Sequence, residues 1–216
     1  MCENNTDSHI HANPHTHDEY PSFDECVRFH GHSCPGLAMG YRAATAGMRR
    51  LGVKRPYDEE LVCIAETDAC GVDAIQMITG CTSGKGNLIV HDYGKHVFTL
   101  ISRESGRAVR ILVRQVEMPE REAMDEMRRR ILSGTADEGE EHAFRRLMGI
   151  VTERMLKCPE TEMLEVRDIE IAPPAKARIF TSVACACCGE PVADARIEVI
   201  DGARVCIPCA KKVVRR

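Results

Sequence analysis

Apolar positions along this chain change their period several times, and each change marks an element. Phe23 and Val27 sit four apart and predict a short helix leading into the stretch FHGHSCPG. Beyond it Leu37, Tyr41, Ala44, Met48 and Leu51 recur at helical spacing, from Pro35, suited to a first helical turn, to Gly52, suited to ending one. LVCIA at 61–65 is apolar throughout and predicts a buried strand. ETDACGVDAIQMITGC predicts another helix, capped by Thr67 or Asp68 and ended by Gly80. NLIVHD, KHVFTLIS and RAVRILVRQV follow as strands divided by Tyr93-Gly94 and Glu104-Ser105-Gly106, which predicts an antiparallel meander.

A second helical region opens at Pro119, with Ala123, Met127 and Ile131 on one face and a break at Ser133-Gly134. Thr135 and Glu138 have capping-box spacing, and Phe144, Leu147, Met148, Val151 and Met155 form an apolar stripe suited to core or a dimer interface. LEVRDIEIAP reads as one more strand or an extended connector, and Pro173-Pro174 as a hinge. The pattern predicts an α+β fold, helices packed on a mixed, mainly antiparallel sheet and then a helical linker; beyond it, four cysteines in two C-x-x-C pairs have the spacing of a small zinc finger. The expected boundaries are a polar His-rich tail at 1–19, an α+β core at 20–118, a helical extension at 119–174 and the finger at 175–216. His9, His11, His15 and His17 of the tail read as solvated, so no site is assigned there.

Composition narrows the class. With 216 residues, 44% of them hydrophobic, the chain can bury one sizeable core, and the absence of Trp makes that core aliphatic and Met-rich. Twelve cysteines with no secretory h-region and no membrane-length apolar run point to a reducing compartment, the cytoplasm, and to no membrane partner. The net charge of -4 covers a gradient: residues 1–25 carry six acidic groups and no Lys or Arg, while 175–216 carry eight basic against four acidic. That balance argues against nucleic-acid binding by the whole chain and leaves it open only for the finger, where Lys211, Lys212, Arg215 and Arg216 lie together.

The strongest chemical signal is the pair of C-x-x-C motifs formed by Cys185, Cys188, Cys206 and Cys209, separated by seventeen residues. Two tight turns that each aim two thiolates at one point complete a tetrahedral cage for a structural Zn²⁺. Disulfides or redox pairs are the competing reading, and Cys187 competes with its neighbours as a ligand, although a C-x-x-C turn favours the outer two. Turns at Pro191 and Asp201-Gly202 allow a hairpin too small for its own core, so metal would hold this segment folded.

A second cluster is predicted where the two core helices begin. Cys34 directly precedes Pro35 and Cys70 lies near the start of the next helix, so both thiols sit at positive helix ends, where a thiolate is stabilised. His30 and His32 precede Cys34 by four and two residues on a Gly-containing loop. The candidate catalytic residues are therefore His30, His32, Cys34, Cys70, Asp73 and Lys85. The candidate ligands of a second divalent metal are His32, Cys34, Cys70 and Cys81, of which a three-ligand subset leaves room for water or substrate. His30 would act as base or support, Asp73 would orient an imidazole and Lys85 would receive an anion. GCTSGKG at 80–86 fails as a phosphate loop: its glycine spacing is short, Gly86 replaces the magnesium-holding hydroxyl, and it follows a helix.

FHGHSCPGLAMGYRAA followed by ETDACGVDAIQMITGCTSGKGNLIVHDYGKHVF resembles the FmdE/FwdE family, named for a component of molybdenum or tungsten formylmethanofuran dehydrogenase, over about residues 20–118. CACCGEPVADARIEVIDGARVCIPCAKK resembles the treble-clef or DksA/TraR-type zinc finger. The resemblance implies an α+β core that pairs as a homodimer, with His30, His32, Cys34, Cys70, Asp73, Cys81 and Lys85 as motif positions. It also implies a methanogenesis-related setting, with a pterin-containing oxidoreductase complex as partner. The chain has no ferredoxin-type run of closely spaced cysteines, so it is expected to be accessory to that chemistry and not its catalytic component. The alternative is a dimeric zinc-finger binding or regulatory module without catalysis.

Overall fold

The computed structural model describes residues 20–214; the His-rich tail lies outside them. The chain divides into two compact units, one ending at Ala175 and the other beginning at Lys176.

The first unit is built around its most apolar segment. Strand β1 (Leu61–Ala65) presents apolar side chains to both faces, which only a central strand can bury, and it lies second in a five-stranded sheet of order β2-β1-β3-β4-β5. Its neighbours are β2 (Leu88–Val90), β3 (Val97–Ser102), β4 (Ala108–Val113) and β5 (Leu164–Ile169). Leu61, Cys63 and Ala65 face the main core, whereas Val62 packs with Ile101 and Ala108 on the other side. This alternation explains why β3 is buried at every position.

Only part of the predicted meander forms. β3 and β4 make an antiparallel hairpin, but β2 pairs in parallel with β1, which separates it from β3. The reason is topological: β1, α3 (Gly71–Thr79) and β2 form a strand-helix-strand crossover, the connection that parallel neighbours require. A local alternation of strands and turns carries no information about which strand inserts between two others.

Helix α1 (Phe23–His30) starts in a Ser22/Glu25 capping box and ends at Gly31, whose φ of 95° suits a residue without a side chain. Helix α2 (Pro35–Leu51) lies on the sheet and stops at Gly52. Where it crosses α3, a Cβ on Gly40 would fall 2.1 Å from the carbonyl oxygen of Gly71, so the two backbones touch. Gly47 is likewise pressed against Leu100 and Ile111. Leu37 and Met48 of α2 and Ile75 and Ile78 of α3 are fully buried, each contributing roughly 1.5–3 kcal/mol.

Residues 119–174 are no separate extension. Helix α5 (Glu138–Lys157) packs on α2, and Arg42 of α2 donates to the terminal carbonyls of Met155, Leu156 and Cys158 at 2.9, 2.7 and 2.8 Å, satisfying groups that a helix end leaves open. Helix α4 (Arg121–Leu132) folds back along α5, tied by the Arg154–Glu120 pair at 2.5 Å. The capping box of α5 is Asp137/Glu140, not Thr135/Glu138; the Thr135 hydroxyl bonds Ser133 and Arg130 instead. After the short helix α6 (Glu160–Met163), β5 adds to β4 and completes the sheet.

The second unit holds two small hairpins, β6 (Ser182–Ala184) with β7 (Pro191–Ala193) and β8 (Ile197–Ile200) with β9 (Ala203–Cys206), followed by helix α7 (Ile207–Val214). Asp201 and Gly202 both take positive φ, 49° and 80°, giving the tight turn that joins β8 to β9. Its buried cluster consists of Cys185, Val205, Cys206, Cys209 and Ala210, with Val192 and Ile200 against it. So few apolar groups cannot by themselves hold about forty residues folded.

Candidate metal centre

The core site forms where α2 and α3 begin. Cys34 is the residue before the first turn of α2, and its sulfur accepts from the Leu37 N–H at 3.4 Å. Cys70 holds the equivalent position on α3; the helix starts there without a side-chain cap, while Thr67 turns to the Ala69 N–H. The glycines that let α2 and α3 touch also bring the two cysteines together. A Cβ on Gly36 would meet Cys70 Cβ at 3.3 Å and lie within 3.9 Å of Cys34 Sγ.

His30 sits on the last turn of α1, not on the loop beyond it, and Gly31 then reverses the chain so that His32 stacks beside it with ring centres 4.4 Å apart. His30 Nδ1 lies 2.7 Å from Asp73 Oδ2, and Asp73 is held from its other oxygen by Gln76 at 3.2 Å. An ionised carboxylate can only accept, so Nδ1 carries the proton, and in the neutral ring Nε2 presents its lone pair. That nitrogen lies 3.9 Å from Cys34 Sγ. One ligand atom from each of His30, His32, Cys34 and Cys70 lies within 4.8 Å of the others.

Burial pushes the Cys34 thiol above its ordinary value, opposed in part by the Leu37 N–H. Proximity to Cys70 adds to the upward push, because two thiolates repel. Two sulfurs and two imidazoles are the donor set that zinc and related borderline metals accept, and a dication would offset that repulsion. Cys34 and Cys70 are half-buried or buried, whereas His32 is exposed and forms the outer rim.

Two expected residues do not join them. Cys81 is fully buried with its thiol donating to the Leu61 carbonyl at 3.4 Å, and burial raises it to about 11. It packs near Cys63 in the main core, because it follows Gly80 at the far end of α3, away from the helix start. Lys85 donates to the Asp58 carbonyl at 3.1 Å on that same side.

A cavity of about 420 Å³ opens over Cys34 and Cys70. Its far wall, not assigned to a site in the sequence, comes from α4, α5 and the segment just before α4: Met118, Met124, Met148 and Val151, with Arg121, Asp125 and Arg128. The one available signal was the methionines of this charge-rich region, too many for a solvated helix pair.

In the second unit, one sulfur from each of Cys185, Cys188, Cys206 and Cys209 lies within 4.8 Å of the others. The Cys185 thiol is lowered to about 6, chiefly by the Cys188 N–H and then by that of Cys206, which donates at 3.2 Å. Cys187 is exposed and outside the four. Four thiols around one point, in a segment with almost no core, fit a closed zinc site.

Among solved structures, a tungsten formylmethanofuran dehydrogenase FmdE-like protein from Syntrophus aciditrophicus shares the fold. The TM-score is 0.56 at 24% identity, over 89% of this chain and 94% of that one. A curated relative from Archaeoglobus fulgidus, described as a probable S-adenosyl-L-methionine-binding protein, is 33% identical over 192 residues, 84% of this chain. The chain spans about half the length of that relative. No helix among the described residues is long and apolar enough to cross a membrane. Residues 178–215 match the prokaryotic dksA/traR C4-type zinc finger, where the four sulfurs converge. The family described as FmdE, molybdenum formylmethanofuran dehydrogenase operon, matches residues 29–165, from the last turn of α1 through the start of β5; the chain belongs to the FmdE family.

Proposed function

We propose that this protein is a cytoplasmic metal-binding accessory factor of one-carbon metabolism of the formylmethanofuran dehydrogenase type. In this reading it holds a divalent metal at the floor of the α2/α3 cavity and a structural zinc in the finger. The observation that carries it is the convergence of His30, His32, Cys34 and Cys70 beneath that cavity, with Asp73 fixing the His30 ring. The link to one-carbon metabolism comes from the family's description. A homodimer and a partner oxidoreductase belong to the same proposal; exposed Leu132 and Ile150 on α4 and α5 are apolar surface such contacts would cover.

A metal held there would supply Lewis acidity or an anchoring point for a polarisable ligand. The protein's own groups do the rest. Asp73 keeps Nδ1 of His30 protonated, the α2/α3 crossing sets the separation of the two sulfurs, and the methionine-lined wall excludes water from one side. His32, exposed at the rim, is the donor able to give way to an incoming ligand.

Four protein donors are also a complete tetrahedral set, and this favours a second reading in which the centre is purely structural and the protein a binding or regulatory module. Metal analysis of the purified chain separates the possibilities. Two metals per chain, one of them lost in Cys34→Ser with the fold intact, support a core centre. A single metal that depends on Cys185, Cys188, Cys206 and Cys209 rejects it. A core metal whose spectrum responds to no added small molecule favours the structural reading.

A further inference from the structure

The cavity above the core ligands has two chemically different walls. One carries the sulfurs of Cys34 and Cys70 with His32; the other carries thioethers, two guanidinium groups and the Asp125 carboxylate. The two cations are not equivalent. Arg128 is neutralised by Asp125 at 3.1 Å and lies over the Phe144 ring, 6.0 Å from its centre. Arg121 has only an uncharged partner, the Gln115 carboxamide, whose oxygen turned toward the guanidinium accepts at 3.0 Å. Asp125, one turn along the helix, is already taken by Arg128. Among the described residues no carboxylate forms an ion pair with Arg121.

A cavity of this size falls in the small-molecule range of about 300–1,000 Å³. One cation without a counter-charge calls for one anionic group, and guanidinium geometry favours a carboxylate. Met118, Met124 and Met148 suit a flexible aliphatic stem, since thioethers are polarisable and adapt to shape. A metal already bound by thiolates and imidazoles accepts sulfur ahead of a hard oxygen as its added donor.

We propose that the cavity binds a small thiol-bearing carboxylate, its sulfur at the core metal, its stem along the methionines and its carboxylate on Arg121. This rests on the metal reading of the same site. Arg121 is a specificity residue, and Lys85, on the far side of α3, has no part in it.

The test uses the full chain loaded with Co²⁺, whose sulfur charge-transfer and ligand-field bands report the donors. The probes are mercaptoalkanoates of increasing chain length and the mercaptoalcohols of matching length. At least one acid is expected to shift the core bands and to bind on the order of tenfold more tightly than its alcohol. Arg121→Gln should abolish that preference while leaving cobalt content and alcohol affinity unchanged. Equal affinity for acid and alcohol, a preference that survives in Arg121→Gln, or no response from a chain holding two cobalt ions would each overturn the inference and leave the metal reading standing. A chain that takes up one cobalt, in the finger alone, would remove both.

Discussion

His30 Nδ1 lies 2.7 Å from Asp73 Oδ2, which joins the end of α1 to the first turn of α3 and fixes which nitrogen of the ring faces Cys34. The carboxylate is about a third exposed, and its second oxygen is held by Gln76.

Asp73→Asn should therefore weaken the core centre without unfolding it. Its amide can present either an acceptor or a donor to Nδ1, so the tautomer that frees Nε2 is no longer enforced. Core metal affinity is expected to fall roughly 10–100-fold, measured by chelator competition, with finger metal and thermal unfolding unchanged. Unchanged core affinity would show that His30 is no ligand.

Gly40→Ala should be severe. The new methyl would overlap the Gly71 backbone, which is not a flexible side chain and cannot step aside. A loss of about 3 kcal/mol or more is expected in urea unfolding, together with loss of the core metal, because the crossing sets the Cys34 to Cys70 separation. Gly84→Ala, which meets nothing within 4 Å, should stay within about 0.5 kcal/mol.

Alkaline pH should destabilise the metal-free protein through Cys81. Its folded value of about 11 lies above the ordinary thiol value of 9.0, so folding favours the protonated form. Stability from this group is complete below pH 9 and is lost as pH rises through about 11. A shift of this size corresponds to about 2–3 kcal/mol. Urea midpoints of wild type and Cys81→Ala at neutral pH and near pH 11 should converge. The Leu61 carbonyl still accepts from Asn87 at 2.9 Å in the variant, so no buried acceptor is left open. Parallel pH profiles would refute the assignment.

Chelation should melt residues 176–216 and spare the first unit. The finger's buried cluster contains three of the proposed ligands, so removing metal removes its core as well. Limited proteolysis after chelation should cut within this segment while a fragment ending near Ala175 persists. Resistance of the finger in chelator would mean that zinc does not hold it.

Local signals were legible and long-range ones were not. Pro35 after Cys34, Gly52 and Gly80 mark helix ends through backbone preferences that act within a few residues; α2 followed from periodicity and β1 from its unbroken apolar run. The parallel pairing of β1 with β2, and the docking of α5 on α2 through Arg42, depend on contacts between distant segments and leave no local trace. Cys81 illustrates the limit: its place just after α3 suggests a ligand, yet it follows the far end of that helix and is buried in the core against Leu61 and Cys63. The far wall of the cavity stayed hidden because a helix with Arg121, Asp125 and Arg128 reads as solvated surface.

The touching backbones of Gly40 and Gly71 also give the two centres different folding requirements. Finger ligands come in two C-x-x-C pairs, so an ion bound there would organise the fold around itself. Cys34 and Cys70 meet only after α2 and α3 have docked, so an ion held between them would report a correctly packed core.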